Sequence, residues 1–156
     1  MKKRIIAQSL PPNEELNTYW LDMGALADVE VTSEAIGYPI EEALLPNKGH
    51  GWKAGKPGIQ TIRLLFKQAQ TIKRIRLGFL ETELVRTQEV LRWSHDNGLT
   101  FEEIVRQQSN FSPDGSNRQT EDHIKVLSGV SVIELIFTPD INSENVFASL
   151  EKLRLA

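Results

Sequence analysis

The feature that most constrains the fold of this chain is the alternation of apolar and polar residues, which recurs in short segments along most of its length. Val29 and Val31 alternate with polar residues, and so do Leu91 and Trp93. Further segments of this kind are Ile62–Lys67, Arg74–Phe79 and Leu153–Leu155. A period of two predicts half-buried strands, because successive side chains of a strand point to opposite faces.

The segments between these strands are too short for helices that cross between parallel strands. Antiparallel sheets packed face to face are therefore expected. The run Val130–Phe137 is apolar on both faces and predicts a central strand, which Pro139 should end because proline donates no hydrogen bond to a sheet. The triplet Asp96-Asn97-Gly98 predicts a tight hairpin. Glu102–Gln108 has helical propensity but lies between strands, and we interpret it as a strand.

The length of 156 residues suits one domain with a core of its own. No repeat, linker or low-complexity segment divides the chain. We therefore predict a single all-β domain over residues 1–156, in which residues 1–20 form an N-terminal arm. Short helical turns are expected at Glu14–Leu21 and Glu41–Leu45.

Composition excludes several functional classes. The chain has no cysteine, so it has no disulfide, thiolate metal site or cysteine nucleophile. The formal net charge of -3 gives no bulk attraction for nucleic acid. The basic start Met1–Gln8 is followed by too short an apolar run for a signal peptide, and no apolar run is long enough to span a membrane. We expect a cytoplasmic protein without a membrane partner.

Six segments follow one another in an order typical of a known superfamily. They are Val29–Ser33, the stretch from Ala43 to Trp52, Gly58–Ile62, Ile72–Phe79, Leu91–Phe101 and Phe147–Leu155. In this order the chain resembles the discoidin domains, the C-type domains of coagulation factors and bacterial carbohydrate-binding relatives. The resemblance implies an eight-stranded antiparallel jelly-roll sandwich of the galactose-binding-like kind, whose ligands bind at loops clustered at one end.

Many bacterial members of this superfamily hold a structural calcium ion. The resemblance places Leu45 near the position of their loop aspartate and Lys152 at the position of a glutamate in the closing strand. Calcium prefers several hard oxygen ligands, and leucine and lysine offer none. We expect no cofactor, although Asn47, Glu151 and backbone carbonyls leave a calcium site as the alternative.

No catalytic constellation is recognisable. The three histidines, at 50, 95 and 123, lack the spacing of metal ligands. Ser94, His95 and Asp96 are triad residue types, but neighbouring strand residues point to opposite faces, so we interpret them as the shoulder of a hairpin. Glu81 and Glu83 are read as solvated carboxylates. The sequence predicts a non-catalytic protein.

Two features suggest where a ligand binds. Trp52 either stacks on a sugar or plugs one end of the sandwich, as its counterpart does in the resembling family. In Val105–Pro113, planar polar groups surround Phe111; they suit sugar hydroxyls, and they equally suit hydrogen bonds that hold a long loop. The predicted ligand-binding residues are Trp52, Arg86, Arg106, Gln107 and Asn110.

We therefore predict a non-catalytic binding module, with carbohydrate binding through loops at one end of the sandwich as the first hypothesis. The alternative is an intracellular scaffold that binds a protein partner. A third and weaker hypothesis is nucleic-acid binding through a strip of arginines at 74, 76, 86 and 92.

Overall fold

Two strands are much longer than the others, β3 (Gln60–Leu80) and β6 (Arg118–Pro139). They pair antiparallel along most of their length, and register shifts between Leu65 and Arg74 interrupt the ladder. Such bulges bend a strand, so each long strand contributes its two halves to different sheets. The predicted separate strands Ile62–Lys67 and Arg74–Phe79 are wrong in this respect, because they are the two halves of β3.

A computed structural model describes residues 3, 19–46, 48–80, 85–111, 118–139 and 145–156. The shorter strands are β1 (Ala27–Val31), β2 (Trp52–Lys53), β4 (Val85–Ser94), β5 (Glu102–Phe111), β7 (Ser149–Leu150) and β8 (Lys152–Leu155). The helices in these ranges are α1 (Met23–Leu26) and α2 (Glu41–Leu44). Neither is long enough to cross a membrane.

The strands form two layers. In the first, which we call the large sheet, the order is β1, the first half of β3, the second half of β6, β4 and β5. In the second, the small sheet, β8 pairs with the second half of β3, which pairs with the first half of β6. All these pairings are antiparallel, as predicted. The short β2–β7 pair lies apart from both sheets.

The core lies between the two sheets. Phe79 from the small sheet packs edge-on against Phe137 from the large sheet, with ring centroids 6.4 Å apart. Trp52 contacts the same Phe137 ring at 5.5 Å. All three side chains are buried. Burial of aromatic surface of this size is the main stabilising term for a sandwich that has no disulfide.

Several local predictions are confirmed. β6 lies between β3 and β4 and ends at Pro139, as the apolar run predicted. Asn97 and Gly98 have φ angles of 59° and 91°, which is the backbone of the predicted tight hairpin. Glu102–Phe111 is a strand, and Glu41–Leu44 is a helix. Of the predicted arm and its helical turn, residues 1–2 and 4–18 lie outside the described residues.

The outer face of the large sheet holds a buried carboxylate. Glu134 of β6 is completely buried, and it accepts hydrogen bonds from Arg63 of β3 and Arg92 of β4. These three residues lie opposite one another in the register of the sheet. Arg92 also lies over the Phe101 ring at 4.3 Å. The row therefore joins three strands through one carboxylate.

Replacing Glu134 with alanine is expected to lower the free energy of unfolding by about 2–3 kcal/mol, because it leaves two arginines without their shared acceptor. The arginines are partly exposed, so water offsets part of the loss. Urea denaturation measures the difference. Glu103→Ala is the matched control, since it removes an exposed pair with Arg106 and should cost less than about 1 kcal/mol. Equal losses in the two variants would contradict a structural role for the row.

Candidate functional site

A pocket of about 220 Å³ opens at the end of the sandwich where β1 and β3 end. β3 and β5 end, and β4 and β6 begin, at this end of the sandwich, and residues 81–84 and 112–117 lie outside the described residues. Side chains and backbone from three parts of the chain line the pocket: Tyr38, His50, Lys53, Leu80, Ser149 and Glu151. The sequence predicted ligand binding at loops clustered at one end of the sandwich, and we call the end that holds this pocket the loop end.

Three side chains form the polar rim of the pocket. The Tyr38 and His50 rings meet edge to face, with centroids 6.3 Å apart. The Lys53 ammonium lies 4.5 Å from the centre of the Tyr38 ring. A cation above an aromatic face limits the mobility of both groups. The rim therefore presents an aromatic surface beside hydrogen-bond donors and acceptors.

Trp52 forms the buried base of the pocket. Its side chain is 1% exposed, and its indole Nε1 donates to the Ser33 carbonyl at 2.9 Å. A ring that is buried against Phe137 has no free face on which a sugar could stack. The stacking interpretation of Trp52 is therefore wrong, and the alternative interpretation, a plug at one end of the sandwich, describes its position.

Backbone conformation holds the pocket loop against β7. Gly51 has a φ angle of 68°, in the left-handed region that favours glycine. A Cβ atom on Gly51 would stand 2.7 Å from the Leu150 carbonyl oxygen. The next residue, Trp52, pairs with Leu150. Close backbone approach therefore fixes the chain between His50 and Lys53.

The other predicted site residues lie on β4 and β5, and the structure divides them between the two faces of the large sheet. Arg86 lies opposite Asn110 in the register, near the loop end, but the Arg86 side chain lies outside the described part of the structure. Arg106 is on the outer face of the large sheet, where it binds Glu103 at 2.8 Å. Gln107 is on the inner face and donates to Glu121. Arg106 and Gln107 cannot share one surface, because they are neighbours on a strand.

Gln107 belongs to a polar cluster between the sheets. Ser109 of β5 donates to Glu89 of β4 at 3.1 Å, and both side chains are buried. Glu121 of β6 accepts from Gln107 across the gap between the sheets. Burial raises the pKa of Glu89 to about 8. The hydrogen bond from Ser109 lowers this pKa in part, and the charge of Glu121 raises it further. Glu89 is therefore protonated at neutral pH.

The Ser94-His95-Asp96 sequence has a structural role. The Ser94 hydroxyl donates to the Asp96 carboxylate at 2.6 Å and accepts from the Gly98 amide at 2.9 Å. Asp96 also accepts from the Thr100 amide at 2.8 Å. Hydrogen bonds from Ser94 and Thr100 hold the pKa of Asp96 below its usual range. This is the hairpin shoulder that the sequence predicted, and Glu81 and Glu83 lie outside the described residues.

The arginines do not form one basic strip. Arg74 and Arg76 lie on the outer face of the small sheet, where both bind Asp122 and lie near the Trp20 ring. Arg92 lies on the outer face of the large sheet, bound to Glu134. The predicted strip is therefore wrong, because its members belong to opposite sides of the sandwich.

Two of the residues that the resemblance relates to a calcium site have side chains that cannot bind calcium. Leu45 and Lys152 have no oxygen in their side chains, Glu151 lies near Arg118, and Asn47 lies outside the described residues. Across the described ranges, no group of three or more histidine, aspartate or glutamate side chains is arranged to hold a metal ion.

Sequence reasoning missed the rim residues Tyr38, His50 and Lys53. The spacing of His50 from the other histidines fits no metal site and gave no reason to select it. A usable signal was present for His50, which lies in the stretch from Ala43 to Trp52 that carries the resemblance, but none was present for Tyr38.

Comparison with known proteins identifies the fold. The sequence matches no family model and no curated protein. Among solved structures, a pectin-binding carbohydrate-binding module is 15% identical with a TM-score of 0.60, covering 83% of this chain and 89% of its own. The family 32 module of AlyQ, in complex with 4,5-unsaturated mannuronic acid, is 14% identical with a TM-score of 0.63. The match covers 89% of this chain and 98% of that module. The family 32 module of C. perfringens NanJ, in complex with galactose, is 13% identical with a TM-score of 0.62. The match covers 87% of this chain and 96% of that module.

These similarities confirm the predicted fold class. The chain is an all-β sandwich with the galactose-binding-like, discoidin-type jelly-roll fold that family 32 carbohydrate-binding modules share. At such low identity the likeness concerns the fold, and function has to be argued from the site.

The raised pKa of Glu89 predicts a dependence of stability on pH. The ordinary pKa of 4.5 applies to the unfolded chain, and the folded value is about 8. Between these values the folded state binds more protons, so stability falls as pH rises, by about 1.4 kcal/mol for each pH unit at most. Glu89→Gln keeps the acceptor for Ser109 and should remove this slope, which makes the variant more stable than the wild type at pH 8.5.

Urea denaturation at pH 5, 6.5 and 8.5 measures this effect. The control is Glu102→Gln, an exposed glutamate on β5, which should leave the pH dependence unchanged. Parallel pH profiles for wild type and Glu89→Gln would show that Glu89 ionises normally in the folded protein.

Proposed function

We propose that this protein is a non-catalytic carbohydrate-binding module that holds one or a few sugar residues in the pocket at the loop end. The observation that carries the proposal is the pocket rim, where an aromatic ring lies beside the ammonium of Lys53 and the imidazole of His50. A sugar ring has one apolar face and a circumference of hydroxyl groups. An aromatic surface next to donors and acceptors suits both.

The size of the pocket fits a small ligand. Its volume of about 220 Å³ is below the roughly 300–1,000 Å³ of pockets that enclose drug-sized molecules. Trp52 and Leu150 make its base apolar, and Ser149 and Glu151 add polar groups on the β7 side. Such a pocket binds a terminal sugar better than it encloses a long chain, and we expect weak binding that relies on few contacts.

The position of the pocket gives further support. It lies at the loop end of a fold shared with modules whose structures contain galactose or a mannuronic acid derivative. The outer face of β5, where Arg106 lies, is dominated by a local ion pair with Glu103. We therefore place ligand binding at Tyr38, His50 and Lys53, and not at Arg106.

Alanine at Tyr38 or at His50 is expected to weaken binding of a sugar at least tenfold, a loss of about 1.4 kcal/mol, because each change removes part of the rim. Binding is measured by calorimetry, after a glycan array that includes neutral and acidic sugars has identified a ligand. Arg106→Ala is the control and should bind as the wild type does. Thermal unfolding of each variant establishes that it is folded.

The outcomes separate the competing functions. If Arg106→Ala loses binding and Tyr38→Ala does not, the binding site lies on β5 and not in the pocket. No binding to any glycan by folded wild-type protein would overturn the carbohydrate proposal and favour the scaffold function. Co-purification with a defined protein that competes for the same rim residues would identify such a partner.

A further inference from the structure

The closing strand carries a partly buried positive charge that binds backbone carbonyls. The Arg154 guanidinium donates through Nη1 to the carbonyl of Ala43 at 2.8 Å and to that of Leu153 at 2.9 Å. Through Nη2 it donates to the Leu45 carbonyl at 3.2 Å. Burial lowers the pKa of Arg154, and arginine nevertheless keeps its charge in proteins. In the part of the chain that the structure describes, its acceptors are backbone oxygens.

These carbonyls belong to the loop that leads into the pocket. Helix α2 ends at Leu44, and the last carbonyls of a helix receive no hydrogen bond from amides of the same helix. They also carry partial negative charge, so a cation beside them is favourable. The next described residues along this loop reach His50 and Trp52 at the pocket. Arg154 therefore ties the start of the pocket loop to β8.

The surroundings of Arg154 make these acceptors important. Arg154 lies directly opposite Arg76 on the neighbouring strand, and like charges in that position repel. Arg76 is held by the Asp122 carboxylate at 2.9 Å and 3.0 Å. Arg154 extends to the other side, towards the loop carbonyls. Each arginine thus has its own negatively polarised partner, which offsets the repulsion.

The same loop is where the resembling domains hold their calcium ion. Leu45 stands near the position of their aspartate, and its carbonyl accepts from Arg154. A calcium ion needs six to eight oxygen ligands, roughly, and a guanidinium already uses two carbonyls of this loop. The Lys152 side chain lies over Gly78. A Cβ atom added to Gly78 would stand 2.8 Å from the Cγ of Lys152. The residues present do not fit a calcium site.

We propose that the guanidinium of Arg154 replaces a structural metal ion in this protein, neutralising the loop carbonyls of Ala43 and Leu45 and fixing the pocket loop to β8. The replacement makes the cation part of the chain, so the stability of the fold does not depend on calcium. It is independent of the identity of the ligand, and it stands even if the pocket binds something other than a sugar.

The first test is thermal unfolding of the wild type in EDTA and in millimolar calcium chloride. The expected result is the same midpoint in both solutions. A midpoint that rises with calcium concentration in the wild type would overturn the proposal, because it would show that a metal ion binds the folded chain.

The second test replaces Arg154 with methionine, which keeps much of the side-chain volume and removes the charge and the donors. The midpoint of unfolding should fall by about 5–10 °C, because charged hydrogen bonds to buried carbonyls are lost. The matched control is Arg118→Met, on an exposed arginine of β6 that lies 3.7 Å from Glu151, and it should shift the midpoint by about 2 °C or less. Equal midpoints for Arg154→Met and the wild type would overturn the proposal.

A third variant covers the case in which Arg154→Met fails to fold. Arg154→Lys keeps the positive charge but has fewer hydrogen-bond donors. It should therefore recover part of the stability that Arg154→Met loses. A lysine variant that is as unstable as an Arg154→Leu variant would show that charge at this position contributes nothing, which contradicts the proposal.

Discussion

The rest of the structure depends on the antiparallel pairing of β3 with β6. Both strands pass from one sheet into the other, so their ladder, which register shifts interrupt at the bend, builds the central part of both layers. Gly129 of β6 lies within the region of these register shifts, and its φ of 70° is easily adopted by glycine. Strands β1 and β8 pair with β3, and β4 pairs with β6 and carries β5 at the edge of the large sheet. The loop end, and the pocket with it, is located by where these two strands begin and finish.

Charged groups on the sheet surfaces follow a common rule. On the outer faces of the sheets, a carboxylate matches arginines in a row across neighbouring strands, as Glu134 does for Arg63 and Arg92. Asp122 performs this role for Arg74 and Arg76 on the small sheet. Arg154 lies at the edge of that sheet and finds its acceptors in the adjacent loop. This arrangement pairs opposite charges across strands in a chain that has no disulfide, and it restricts which strands can be neighbours.

Prediction from sequence succeeded where a pattern is local and failed where it depends on distant residues. The hairpin at Asn97 and the central position of Val130–Phe137 follow from residue type and hydrophobic pattern, which act over a few positions. The continuity of β3 through Gln68 and Gln70 could not be predicted in this way, because a polar stretch between two apolar segments is also the sequence pattern of a loop. Grouping Arg106 with Gln107 ignored an available rule, since adjacent strand residues face opposite sides.

The sequence by itself determined the fold class, the antiparallel strands and the position of the tight hairpin at Asn97 and Gly98. It could do so because alternation, turn residues and their order are properties of the chain alone. Tertiary structure decided which side chains face one another. It buried Trp52 against Phe137, brought Tyr38 next to His50 and Lys53, and directed Arg154 to carbonyls more than a hundred positions away in the chain. Such contacts depend on how two bent strands stack the sheets, which no local pattern encodes.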